Sequence, residues 1–373
     1  MKIFKFRDIL PQLHNIVLKR RLKFYFELIP YEVKSLSYKR IRNLFLTGLN
    51  QFILPSRPLG YPVIAQVEPV NFCNLSCPLC LTTSQTFSRP RSILPFESFK
   101  KVIDDAGDYM LLVVLWIWGE PFLNPDVFKM IQYAKAKDIV LHSSTNGNVR
   151  FDEDKAERLV DSGLDTLVFA VDGVSQETYG KYRRGGNLEL VLSNIKTIVR
   201  VKKKKNARTP RLIMRFVVMQ HNEEEIPSVK KLAKDLEVDF LALKTVDMPH
   251  ERGDNLDGRY APGNKKFQRY EYEAGTYKRK RKPFTCMRPW KRLTLDALGE
   301  IIPCEYEYKD LFSFGNLNTG KSSMAIWKSD KATMFRKRFN RGNNDFYLCK
   351  DCTYKNSVAD DCVVDRIDIS QSN

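Results

Sequence analysis

A run of about eighteen apolar residues, the length that crosses a membrane as a helix, occurs nowhere in the 373 residues. The opening stretch MKIFKFRDILPQLHNIVLKRR is basic, but Arg7, Asp8, Gln12 and His14 interrupt the apolar core that a secretory signal requires. No glycine-rich dinucleotide fingerprint is present, which argues against hydride transfer to or from a nicotinamide. Internal repeats are absent too. The four histidines (14, 142, 221 and 250) share no motif, so no catalytic acid or base is legible, and His142 reads as a core or rim residue of a strand. These absences lead to the expectation of a cytoplasmic chain whose thiols stay reduced, so that its eight cysteines point to metal binding or catalysis before disulfides.

Acidic residues are scarce relative to basic ones: 44 Asp and Glu against 62 Lys and Arg, a net charge of +18. Residues 1–60 carry half of that excess, with twelve Lys or Arg and three acids. Their mixture of basic, aromatic and branched residues at roughly helical spacing predicts a basic helical N-terminal extension. It would suit an anionic membrane surface at the inner face of the membrane, or an acidic protein partner. Lys202 to Lys205 and KRKRK at 278–282 read as solvated faces, since no nucleic-acid-binding motif accompanies them and no specific nucleic acid is expected.

From residue 61 to about 250 short apolar runs alternate with amphipathic ones. The predicted strands are 62–70, 110–119, 139–147, 166–173, 211–220 and 238–247, several of them apolar on consecutive positions, as strands covered on both faces must be. Between them lie helical patterns such as Leu188, Val191, Leu192, Ile195 and Val199. The class is therefore α/β, a parallel sheet with right-handed crossovers and ligands at the carboxyl ends of its strands. Residues 251–285 lose the rhythm and read as a linker or loop, and 286–373 as a small cysteine-rich domain with too little apolar mass to fold without metal.

The stretch NFCNLSCPLCLTT, directly after the first predicted strand, holds Cys73, Cys77 and Cys80. A structural zinc site takes four ligands, usually in two close pairs, and the next cysteine lies more than two hundred residues away. Three cysteines alone can hold three irons of a four-iron, four-sulfur (4Fe-4S) cluster and leave the fourth open. Three buried, reduced thiols are the bland alternative, which the loop-like Asn74 and Pro78 disfavour.

C-x3-C-x2-C within EPVNFCNLSCPLC resembles the signature of the radical S-adenosylmethionine (radical SAM) superfamily. WIWGEPFLNP, with Trp118, Gly119, Glu120 and Pro121, is similar to that family's G-G-E-P motif with Trp in place of the first Gly, and STNG (144–147) and AVDGVSQETYGKYRRGGN fall at the ends of the third and fourth strands. The resemblance implies a partial (βα)6 barrel over residues 61–250, with a 4Fe-4S cluster on Cys73, Cys77 and Cys80. It also implies S-adenosylmethionine contacts from Gly119, Glu120, Ser144, Asp172 and Arg183. The implied reaction is reductive cleavage of S-adenosylmethionine to a 5'-deoxyadenosyl radical that abstracts a substrate hydrogen, fed by an electron donor such as flavodoxin or ferredoxin.

Cys286, Gly299 and Cys304 form C-x12-G-x4-C, which resembles the opening of the SPASM/twitch extensions of that superfamily. The likeness implies a second, auxiliary 4Fe-4S cluster on Cys286, Cys304, Cys349 and Cys352, with Cys362 spare or an alternative ligand. A zinc ribbon is the competing reading, although it normally has two close cysteine pairs. An auxiliary cluster would accept the electron left on a substrate radical, making the enzyme an oxidoreductase. The expected substrate is a carbohydrate- or lipid-type metabolite, with maturation of a ribosomal peptide as the alternative. A non-catalytic iron-sulfur or zinc scaffold is the reading from another class.

Overall fold

The structure, a computed structural model, describes residues 14–84, 87–248, 256–280, 286–342, 346–350, 352–355 and 362–369. His250 lies outside them. All six expected strands of the core are present: β3 (Ile64–Val67), β4 (Leu112–Leu115), β5 (Val140–Thr145), β6 (Thr166–Ala170), β7 (Arg211–Val218) and β8 (Phe240–Thr245). They pair in parallel in that order, with β3 hydrogen-bonded to β4 and so on to β8. Helices on the outer side complete a partial (βα)6 barrel. Val113, Leu115, Leu141, Leu167, Phe169, Leu212 and Met214 point outward into the main core beneath them. The alternate residues, among them Ile64, Leu112, Val114, Val140, Val168, Ile213, Phe240 and Ala242, point into the barrel, as the two-residue period of a strand requires.

The barrel interior is filled from its amino end by an element the sequence reading did not contain. Residues 14–60 are not helical throughout: β1 (Leu22–Phe26) and β2 (Ile29–Val33) form an antiparallel hairpin ahead of helix α1 (Tyr38–Ile53). Leu22, Phe24, Ile29, Tyr31 and Val33 are buried against the inward-facing strand residues, so the hairpin closes the lumen with apolar contacts. Its two-residue turn, Glu27–Leu28, has φ of 48° and 61°, a left-handed pair that glycine or asparagine usually fills.

Nor does the C-terminal part stand apart from the barrel. Strand β9 (Arg292–Leu295) pairs in parallel with β3, and β10 (Glu300–Ile302) and β11 (Gly315–Asn316) extend that edge antiparallel. At the opposite edge β12 (Val363–Asp368) pairs antiparallel with β8. Parts of the expected linker or loop are packed, with Tyr260, Arg269 and Tyr270 buried, while residues 263–266 and 273–278 are exposed. Arg279, expected on a solvated face, is buried too and bonds Asp257 through Nε and Nη2 at 2.8 and 2.7 Å. Lys203, Lys204 and Lys205 form surface ion pairs with neighbouring acids, as solvated lysines do, whereas Lys202 is largely covered where it pairs with Asp239. Among the described residues no helix is long and apolar enough to cross a membrane.

Candidate functional site

One cavity of about 360 Å³ lies at the carboxyl ends of the barrel strands, and it is lined by Cys73, Cys77 and Cys80 together with Gly119, Glu120, Ser144 and Arg183. The loop after β3 carries the cysteines, and the chain positions that loop by backbone contact. Gly119 has φ +83°, and a Cβ there would stand 2.5 Å from the Val70 carbonyl oxygen and 2.7 Å from that of Phe72. Only glycine permits so close an approach. The Glu120 amide then donates to the Phe72 carbonyl at 3.0 Å, fixing the residue before Cys73.

Each thiol has its own surroundings. Cys73 Sγ accepts from the Leu75 amide at 3.4 Å and from Asn146 Nδ2 at 3.3 Å. Arg183 Nη1 lies 3.8 Å from Cys77 Sγ, and Cys80 Sγ is 3.1 Å from Thr82 Oγ1. Burial pushes the Cys73 thiol up to about 11, and burial also raises Cys77 against the pull of Arg183. Metal binding here must therefore displace protons. Among the described residues, no three His, Cys, Asp or Glu side chains lie close enough to share a single metal ion. Three thiolates that each take a different iron need not be so close, and the all-sulfur donor set suits iron-sulfur ligation.

The remaining expected contacts divide. The Glu120 carboxylate is buried and already holds the loop after β5: it accepts from Thr145 Oγ1 at 2.9 Å, from the Asn146 amide at 2.7 Å and from the Phe122 amide at 3.2 Å. Burial nevertheless lifts it to about 7. Ser144 Oγ accepts from Arg215 Nη2 at 2.8 Å. Asp172 does not line the cavity; it is fully buried, and its carboxylate accepts from Arg183 Nε at 2.6 Å and from the Val217 amide at 2.7 Å. Asp172 thus positions Arg183, which faces the cavity.

The floor of the cavity is the tip of the N-terminal hairpin. Glu27 lies 3.4 Å from Arg215, 3.7 Å from His142 and 3.9 Å from Lys244, and against the cost of burial the charges of Lys244 and Arg215 and the hydrogen bond with His142 hold its carboxyl well below the usual range. His142 is completely buried, bonded through Nδ1 to the Tyr31 hydroxyl, and burial lowers its pKa. It is a core residue, as its place on a strand suggested.

Four C-terminal cysteines form a second group. Burial pushes Cys349 up to about 12, with neighbouring Cys286 and Cys352 adding to the effect, and Cys304 is raised by burial, by Glu305 and by Cys349. Cys362 is elsewhere. It lines the barrel cavity with its sulfur 4.0 Å from Glu27 Oε1, and its carbonyl accepts from the Thr245 amide at 2.8 Å. The alternative ligand role considered for Cys362 does not match this placement.

Between the two cysteine groups lies a polar and aromatic wall that sequence reading missed. Arg288 bonds Glu305 at 3.0 Å and its guanidinium lies 4.0 Å over the Tyr354 ring; all three line the cavity. Trp118 donates its indole N–H to the Glu305 carbonyl at 2.7 Å and meets Tyr306 edge-on at 6.0 Å. Tyr306 in turn bonds Asp247 Oδ2 at 2.7 Å. The Trp that replaces a Gly of the family motif is therefore a tie between the barrel and the auxiliary region.

Residues 67–233 match the radical SAM superfamily, and residues 286–353 match the iron-sulfur cluster-binding domain SPASM. The tungsten-containing aldehyde ferredoxin oxidoreductase cofactor-modifying protein of Pyrococcus furiosus is 24% identical over 78% of this chain and 87% of its own length. The PqqA peptide cyclase of Bradyrhizobium diazoefficiens is 22% identical over 79% of this chain and 80% of its own. The pre-heme d1 synthase of Dinoroseobacter shibae is 28% identical, but the match spans only 45% of this chain and 39% of that protein. Among solved structures, Streptococcus suis SuiB bound to the precursor peptide SuiA superposes with a TM-score of 0.57 at 13% identity, covering 96% of this chain and 84% of SuiB.

Proposed function

This chain belongs to the radical SAM superfamily and carries a SPASM-type auxiliary iron-sulfur region, and from that premise we propose that it abstracts a hydrogen from a peptide substrate and oxidises the product. The observation that carries the reading is one cavity shared by both cysteine regions: Cys73, Cys77 and Cys80 line it directly, and Arg288, Glu305 and Tyr354 line it beside the auxiliary cysteines. The PqqA peptide cyclase, similar over most of both chains, supports a peptide over the carbohydrate or lipid metabolite expected from sequence.

Cys73, Cys77 and Cys80 would hold the first 4Fe-4S cluster, and Cys286, Cys304, Cys349 and Cys352 the auxiliary one. When bound, the reduced first cluster and S-adenosylmethionine supply one-electron chemistry strong enough to remove a carbon-bound hydrogen. Asn146 donates toward Cys73, and Arg183, braced by Asp172, lies beside Cys77. Gly119 keeps the backbone of the cysteine loop in place. The hairpin closes the amino end of the barrel, so water is kept from the reacting atoms on that side. A small electron-transfer protein of the flavodoxin or ferredoxin type would supply the reducing equivalent.

The test is anaerobic reconstitution with iron and sulfide, reduction, and addition of S-adenosylmethionine with a peptide library or, separately, a sugar panel. Expected are 5'-deoxyadenosine and peptides lighter by two hydrogens, both absent with Cys73, Cys77 and Cys80 changed to Ala. Stimulation by sugars and not by peptides would overturn the substrate class; no deoxyadenosine from iron-loaded protein would overturn the activity.

A further inference from the structure

Helix α1 packs Ile41 and Leu44 partly against the hairpin core, but its most deeply buried face is polar. The residues it buries are polar: Arg40, Asn43, Thr47 and Asn50. Each is spent on a neighbouring backbone group. Arg40 Nη1 donates to the Asp138 carbonyl at 3.2 Å, Thr47 Oγ1 donates to the Tyr61 carbonyl at 3.2 Å, Asn43 Oδ1 accepts from the Tyr61 amide at 2.7 Å, and Asn50 Oδ1 accepts from the Leu59 amide at 3.0 Å.

The opposite face is apolar and open. Tyr38, Phe45 and Phe52 recur every seven residues, two turns apart, and so form one line along the helix. They are 78%, 68% and 86% exposed. Ile53, 60% exposed, continues the patch. An amphipathic helix in a globular protein turns such a stripe inward; here, among the described residues, it stays exposed.

The charge around this stripe names its counterpart. Arg42 lies on the same helix, Arg20 sits 5.1 Å over the Tyr38 ring, and Lys19, Arg21, Lys23 and Lys34 are exposed on the adjoining hairpin segment. Among described residues 14–60 the one exposed acid is Glu32. A line of aromatic side chains rimmed by cations is the pattern that inserts into an anionic bilayer surface: the rings enter the acyl boundary and the cations meet the headgroups.

We infer that α1 docks this protein on a membrane surface carrying anionic lipid. Arg40 bonds the carbonyls of residues 137 and 138, just before β5, so α1 sits at the amino end of the barrel. The cysteine loop is at the carboxyl end. Docking through α1 therefore turns the reaction cavity toward solution, so its substrate is presented from the aqueous side and is not drawn from the bilayer.

The cluster-loaded 373-residue protein is sedimented with phosphatidylcholine vesicles, with and without phosphatidylglycerol, at low and high salt. Binding is expected only with phosphatidylglycerol and should weaken with salt. Phe45→Ser/Phe52→Ser and, separately, Arg42→Glu should each weaken it, the former by about tenfold or more. These positions are exposed, so unchanged thermal melts verify folding. Failure of the wild type to bind, or equal binding by the double variant, overturns the inference. A non-binding wild type that dimerises in the ultracentrifuge, with the dimer lost in the double variant, would assign the face to a second copy; a non-binding monomer would assign it to a protein partner.

Discussion

The Glu27 carboxylate stands 3.4 Å from the Arg215 guanidinium inside the barrel, although 188 residues separate them along the chain. The pair joins the hairpin tip to β7, whose Arg215 also bonds Ser144 of β5, and it puts a charge on the floor of the reaction cavity. A left-handed turn built from Glu and Leu persists there because the surrounding ion pairs and apolar packing over-determine it.

Glu27→Gln keeps the shape and removes the carboxylate that lies 3.4 Å from Arg215 and 3.9 Å from Lys244. Destabilisation of about 2–3 kcal/mol at neutral pH is expected in denaturant unfolding. Because folding lowers the Glu27 pKa, its contribution is fully present above the unfolded value of about 4.3 and is lost as the pH falls through the lower folded value. The difference between wild type and variant should therefore shrink on acidification; a constant difference would refute this account.

Asp296 should give the opposite slope. It shares Arg89 with Glu68, all three side chains being buried, and burial lifts its carboxyl to about 7. The folded state therefore holds a proton that the unfolded chain releases near pH 4, and stability should fall by a few kcal/mol as pH rises from about 4 to about 7. In Asp296→Asn that limb should flatten, read from melting temperatures across this range.

Gly119→Ala should dislodge the cysteine loop, because the new Cβ would meet two backbone carbonyls that cannot move independently of Cys73. Anaerobically reconstituted variant should hold about half the iron of the wild type and make no 5'-deoxyadenosine, with the auxiliary group intact. Full iron content would show that the loop tolerates the shift.

The fifth C-terminal cysteine offers a separation. Cys362→Ser is expected to leave iron content unchanged, and Cys349→Ser to lower it, since the former lies beside Glu27 and the latter is grouped with Cys286, Cys304 and Cys352. Loss of iron from Cys362→Ser would move Cys362 into the ligand set.

The six barrel strands were legible because burial on both faces makes them apolar at consecutive positions, and the cysteine loop because its spacing is dense and specific. The hairpin was not. Leu22, Phe24 and Phe26, then Ile29, Tyr31 and Val33, do alternate as strands should, but Glu27–Leu28 carries no glycine, asparagine or proline to mark the turn. The turn is held by residues from β5, β7 and β8, which no local pattern can announce. The pairing of Asp172 with Arg183 was hidden for a related reason: an acid after a strand carries no local mark of the partner eleven residues on that it bonds. Tyr260, Arg269 and Tyr270, in what reads as a linker, were hidden because their burial depends on the barrel rim.

Strand β9 joins β3 over four residue pairs, from Ile64 with Arg292 to Val67 with Leu295. The auxiliary region is consequently no detachable cartridge. Cutting the chain ahead of residue 286 would bare the hydrogen-bonding edge of β3, next to the cysteine loop, and invite strand-to-strand aggregation. Any attempt to graft a foreign auxiliary region onto this barrel has to supply a parallel strand in that register, so exchange between relatives is constrained by sheet geometry before it is constrained by redox chemistry.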